Sequence, residues 1–91
     1  MIHELERIIH DRQEHPAAGS YTSQLFAAGP NRIAQKVGEE ATEVVVAALG
    51  QGRADQIAEL SDLFYHTLVL MAQLGLSLAD VEAELERRHR K

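Results

Sequence analysis

Three glutamates and a lysine stand in the first half of a segment whose apolar residues recur at helical spacing, Lys36-Val37-Gly38-Glu39-Glu40-Ala41-Thr42-Glu43-Val44-Val45-Val46-Ala47-Ala48-Leu49. At roughly 100° of rotation per residue, Lys36, Glu40 and Glu43 share one narrow sector, with Glu39 at its edge. Ile33, Val37, Val44 and Ala48 form a stripe immediately beside Glu40, and Ala47 continues the acidic sector as an apolar residue. The acids are therefore expected along the flank of a core-facing surface. A carboxylate so placed needs a partner, because burying an unpaired charge is too costly. One lysine cannot neutralise three of them.

The rest of the chain reads as helices and short connections. Ile2, Leu5, Ile8 and Ile9 make an apolar stripe, so residues 2–13 form a first amphipathic helix, ended by Pro16 and Gly19. Ser20 is a good N-cap for a short helix carrying Leu25, Phe26 and Ala27. Gly29 and Pro30 punctuate, and proline suits the first turn of the acid-bearing helix, which runs to Leu49 before Gly50 and Gly52. The segment from Ala54 to Leu74 is apolar almost all round, as a helix buried in a bundle or across a subunit interface would be. Glu59, Asp62, His66 and Gln73 share one sector of it, with Asp55 beside them. After Gly75, Ser77 and Asp80 have capping-box spacing, and a last helix over 78–88 is expected to carry Val81 and Leu85 inward. No segment reads as a strand, so the fold class is all-α, a compact bundle of four to five helices in a single domain over residues 1–91.

Composition narrows the function. There are no cysteines, which excludes disulfides, thiolate metal ligands and thiol nucleophiles. The net charge of −5 argues against nucleic acid as a partner. No apolar run is long enough to span a bilayer and no leader or lipidation motif is visible, so no membrane partner and a cytoplasmic location are expected. A chain this short covers the apolar helix poorly on its own, and a homodimer burying part of Phe64, Leu68 and Met71 is expected.

Two acid-bearing helices joined by a few residues should pack as an antiparallel hairpin. Glu40 and Glu43 then lie about as far before the bend as Glu59 and Asp62 lie after it, so the four can converge into an all-oxygen cage. Oxygen ligands without sulfur suit magnesium, with manganese the alternative. A single glutamate on a helix is ordinarily solvated. Five acids beside apolar stripes on adjacent helices reverse that preference.

Glu39-Glu40-x-x-Glu43 followed by Glu59-x-x-Asp62 resembles the metal-binding signature of the all-α nucleotide pyrophosphohydrolase (MazG-like) superfamily. Ser20-Tyr21-Thr22, the block from Lys36 to Glu43, and Asp62-Leu63-Phe64-Tyr65-His66 are similar to one branch of it, the phosphoribosyl-ATP pyrophosphohydrolase family of histidine biosynthesis. The likeness covers residues 3–88. It implies magnesium-dependent hydrolysis of a small nucleotide, phosphoribosyl-ATP, to phosphoribosyl-AMP and pyrophosphate. In that frame Glu40, Glu43, Glu59 and Asp62 hold the metal. Glu39 orients or deprotonates water, or serves as an outer-shell ligand. Lys36 reaches a phosphate oxygen. Ser20, Tyr21 and Thr22 offer an anion site, and His66 contacts substrate or orients Asp62. The cyclohydrolase domain often fused to this one has no counterpart here, so the chain reads as monofunctional. Each role has a plainer competitor: Lys36 as a salt-bridge partner of Glu40, Ser20-Tyr21-Thr22 as a helix cap, His66 as a hydrogen-bonded core residue, Gly38 as a close-packing position. A house-cleaning nucleoside triphosphate pyrophosphohydrolase is the second functional reading, and a non-enzymatic helical dimerisation module the third.

Overall fold

The structure is a computed structural model that describes residues 1–90. Five helices follow one another: α1 (Ile2–Glu14), α2 (Tyr21–Ala28), α3 (Pro30–Gly50), α4 (Arg53–Gln73) and α5 (Leu78–His89). Among the described residues there is no strand, and no helix is long and apolar enough to cross a membrane.

The helix boundaries follow from local chemistry. Ser20 Oγ accepts from the Ser23 amide at 3.2 Å and starts α2 at Tyr21. Gly29, at φ +98°, both ends α2 and begins α3, a backbone conformation that a side chain would strain. Pro30 then opens α3. At the end of α4, Leu76 N–H donates to the Met71 carbonyl and Gly75 N–H to that of Ala72, with Gly75 at φ +74°. This is a Schellman motif, which satisfies two of the carbonyls left over at a helix end. Ser77 and Asp80 form the expected capping box on α5, and the Glu6 carboxylate accepts from Leu78 N–H at 2.7 Å, tying α5 to α1.

α3 and α4 form the antiparallel hairpin on which the bundle is built. Only Gln51 and Gly52 separate them, and the Gln56 amide donates to the carbonyls of Ala47 and Gln51, clamping the bend. α1 and α2 pack at the open end. There Ile9, Leu25, Ile33, Leu68, Val69 and Ala72 make one buried cluster. At about 25 cal/mol per Å² of apolar surface, such clusters supply most of the folding free energy of a small domain.

Three expectations need correction. Val81 and Leu85 do not point into the core: both are exposed, and α5 buries no residue among those described. α4 is left partly uncovered, as expected of so short a chain, with Ile57, Leu60 and Phe64 facing outward. Gly38 permits no close approach, because no described atom beyond its own stretch of helix lies within 4 Å of where its Cβ would stand. On α3 the buried line passes through Ile33, Glu40 and Ala47, seven residues apart, while Ala48 is exposed. Glu40 thus lies in the core-facing line itself and not on its flank. The seven-residue repeat nearly matches two helical turns, which keeps these three side chains in register.

Candidate metal and nucleotide site

Glu40 and Glu43 project from α3 toward Glu59 of α4, and one carboxylate oxygen from each can be chosen so that all three lie within 4.8 Å of one another. Glu40 is buried, Glu59 half-buried and Glu43 exposed, so the group lies partway along the hairpin, between core and solvent. Such crowding has an electrostatic signature. Burial, then the neighbouring Glu43, Asp62 and Glu40 carboxylates, push Glu59 above the usual carboxylate range. Its Oε2 is buried and has no hydrogen-bond partner among the described residues. An oxygen left in that condition is satisfied by a water or an ion. The Asp62 carboxylate lies one turn beyond Glu59 and exposed, outside the tightest group but close enough to act on Glu59.

Lys36 reaches across from the previous turn of α3. Its Nζ is 3.2 Å from Glu40 and 3.6 Å from Glu39. The hydrogen bond to Glu40 holds Lys36 above its ordinary value; partial burial pulls the other way, and Tyr21 and Glu39 add to the charged form. Lys36 therefore pairs with Glu40, and among the described residues Glu43 and Glu59 have no cation of their own. Glu39 stands apart from the three acids. It meets Lys36, Arg32 at 3.9 Å and the Gln35 amide at 3.4 Å on the exposed side of α3. Arg32 was absent from the residues singled out in the sequence, although its position seven residues before Glu39 places it on the same helix face.

The second group lies where α2 meets α4. Tyr21 Oη is 3.0 Å from His66 Nε2, and His66 Nδ1 is 2.8 Å from the backbone carbonyl of Asp62. Thr22 and Tyr65 are joined hydroxyl to hydroxyl. The rings of Tyr21 and Tyr65 stack with centroids 6.2 Å apart, and His66 meets Tyr65 edge-on at 4.9 Å. His66 is buried. Its contact is with the Asp62 main chain, not the carboxylate. Ser20 serves as the α2 cap, so of the Ser20-Tyr21-Thr22 block the two later side chains reach across to α4.

The donor chemistry of the acid group is that of a hard divalent cation. Three carboxylates and no sulfur or imidazole suit magnesium or manganese better than zinc. The partnerless Glu59 oxygen and the unequal share of one lysine among three acids fit such an ion.

The family profile described as phosphoribosyl-ATP pyrophosphohydrolase matches residues 2–89. The phosphoribosyl-ATP pyrophosphatase of Pyrobaculum neutrophilum is 50% identical over 90 residues, covering 99% of this chain and 96% of that protein. The phosphoribosyl-ATP pyrophosphatase of Clostridium acetobutylicum is 43% identical over 91 residues, covering 100% of this chain and 83% of its own length. A histidine biosynthesis bifunctional protein of Oceanobacillus iheyensis is 49% identical over 89 residues, and there the chain spans only 41% of the relative. Matched from end to end by a profile for hydrolases of a phosphorus anhydride, this all-helical chain belongs to the phosphoribosyl-ATP pyrophosphohydrolase family.

Proposed function

We propose that this chain hydrolyses phosphoribosyl-ATP between its α and β phosphates, releasing phosphoribosyl-AMP and pyrophosphate in histidine biosynthesis, with magnesium held by Glu40, Glu43, Glu59 and Asp62. The observation that carries the reading is the cluster of Glu40, Glu43 and Glu59 with a buried, partnerless oxygen on Glu59. Magnesium held there would supply positive charge for the phosphate oxygens and for the leaving pyrophosphate. Lys36 binds a phosphate oxygen as a point charge while Glu40 fixes its ammonium. Glu39, next to Glu40 in the chain and exposed, accepts a proton from the attacking water as its oxygen bonds to phosphorus and the anhydride bond breaks. The aromatic corner of Tyr21, Tyr65 and His66 bounds the nucleotide on the α2 side.

A second copy of the chain completes the bundle. Leu68 is already buried within one chain and Met71 half-buried, so the surface left for a partner is Phe64 with Ile2, Val81 and Leu85, lining an apolar groove of about 370 Å³. A groove of this kind on so small a chain is covered most economically by the same face of another copy.

Phosphorus NMR of the reaction tests the hydrolysis. Pyrophosphate appearing in step with phosphoribosyl-AMP is expected. Orthophosphate as the first product would overturn the reading.

A further inference from the structure

The hydrogen bonds through His66 have a fixed direction. The Asp62 carbonyl can only accept, so His66 Nδ1 carries the proton it shares with that oxygen at 2.8 Å. In a neutral imidazole the other nitrogen is then an acceptor, and Tyr21 O–H, 3.0 Å away, must be the donor. The role of the Tyr21 hydroxyl is thereby set by a backbone atom that cannot change its own. A phenol has one proton. With it spent on His66, Tyr21 Oη has only lone pairs left for a ligand.

A phosphate oxygen is also an acceptor, so a phosphate cannot be held by Tyr21 Oη in this arrangement. A sugar hydroxyl can. Tyr21 is 47% exposed, and its ring is held from behind by Tyr65 at 6.2 Å and edge-on by His66 at 5.8 Å. Tyr21 opens α2, which packs on α3, the helix that carries Lys36. Two helices packed together thus offer a cation for a phosphate and an acceptor for a hydroxyl, the pairing a ribosyl phosphate presents. Resting on the hydrolase reading above, we infer that Tyr21 binds a ribosyl hydroxyl of the substrate as a hydrogen-bond acceptor, and that His66 is the positioning residue that holds it in that role.

Steady-state hydrolysis of phosphoribosyl-ATP by wild type, Tyr21→Phe, His66→Leu and the double variant tests this, with inhibition by inorganic pyrophosphate measured alongside. The phenylalanine keeps the ring stack and removes only the oxygen. Tyr21→Phe should raise KM about 3–10-fold, the usual worth of one hydrogen bond, with kcat changed less than about twofold and pyrophosphate inhibition unchanged. His66→Leu should raise KM similarly, and the double variant no further, because both act through one contact. Unchanged KM in Tyr21→Phe would overturn the inference, as would weaker pyrophosphate inhibition, which would place a phosphate at Tyr21. A His66→Leu protein that fails to fold leaves the Tyr21→Phe result to decide. Wild type without turnover would instead contradict the hydrolase reading. Calorimetric titration with AMP then decides: weaker binding by Tyr21→Phe supports the contact, and equal binding overturns it.

Discussion

Glu40 lies two turns beyond Ile33 on the buried line of α3; Ile33 ends in the apolar cluster, Glu40 in an ion pair 3.2 Å from Lys36. One helix face thus serves the core at its start and a charged site at its middle. The change occurs where α1 and α2 no longer cover the α3–α4 hairpin. Stability and function are therefore separable by position along α3.

Ile33→Ala should cost about 2–5 kcal/mol, the usual range for a large-to-small change at a fully buried site. Gly38→Ala, one turn away on the exposed side, should do the opposite. Its backbone is helical and an added Cβ meets open space among the described residues. A gain of about 1 kcal/mol is expected from helix propensity alone. Urea unfolding of both variants checks the pair.

Much of this was legible in the sequence, and for identifiable reasons. Ser20, Pro30, Gly75 and the Ser77/Asp80 pair act locally, so the helix boundaries they set could be read within a few residues of each. The convergence of Glu40 and Glu43 with Glu59 followed from a connection too short to allow anything but a hairpin. Two kinds of feature were not legible. Val81 and Leu85 have inward-facing periodicity, but periodicity cannot say whether the rest of the chain reaches that face, and both are exposed. The bond from Tyr21 to His66 joins residues 45 positions apart and depends on the angle at which α2 crosses α4, which no local pattern encodes.

Glu59 supplies a pH-dependent prediction. Burial and neighbouring carboxylates raise it in the folded state, so the folded protein binds this proton more tightly than the unfolded chain does. The native state is penalised at neutral pH, and the penalty disappears as pH falls through the raised value toward the ordinary range near 4.5. In metal-free buffer Glu59→Gln should melt above wild type at pH 7, and the two should converge as the pH is lowered through that window. Thermal unfolding across pH checks it; a constant difference would mean the charge is not the cause.

Magnesium should reverse that order. At one hundred times its dissociation constant a ligand adds about 2.7 kcal/mol to the folded state, so wild type should gain a higher melting temperature and Glu59→Gln much less. Glu43→Gln and Asp62→Asn should lose activity while remaining folded. Near-wild-type turnover in either at saturating magnesium would show that its carboxylate does not hold the ion.

Lys36 and Glu39 should separate in kinetics. Lys36→Ala is expected to raise KM and lower kcat, since its charge serves bound and transferring phosphate alike. Glu39→Gln should lower kcat by about 10²–10⁴-fold, the usual cost of a lost general base, with little change in KM. Recovery of Glu39→Gln at high magnesium would make Glu39 a metal ligand.

Phe64→Glu and Leu85→Glu place a charge on the exposed apolar groove of each chain. Both variants should sediment as monomers where wild type sediments as a dimer at micromolar concentration. A monomeric wild type would remove the second copy from the account.

The most direct measurement is kcat/KM for phosphoribosyl-ATP beside ATP and the deoxynucleoside triphosphates, with and without magnesium. Magnesium-dependent release of pyrophosphate from phosphoribosyl-ATP is expected, with a preference over ATP of about 100-fold or more, as several placed polar groups reading one substrate give. Equal or faster hydrolysis of ordinary triphosphates, or turnover indifferent to magnesium, would contradict it.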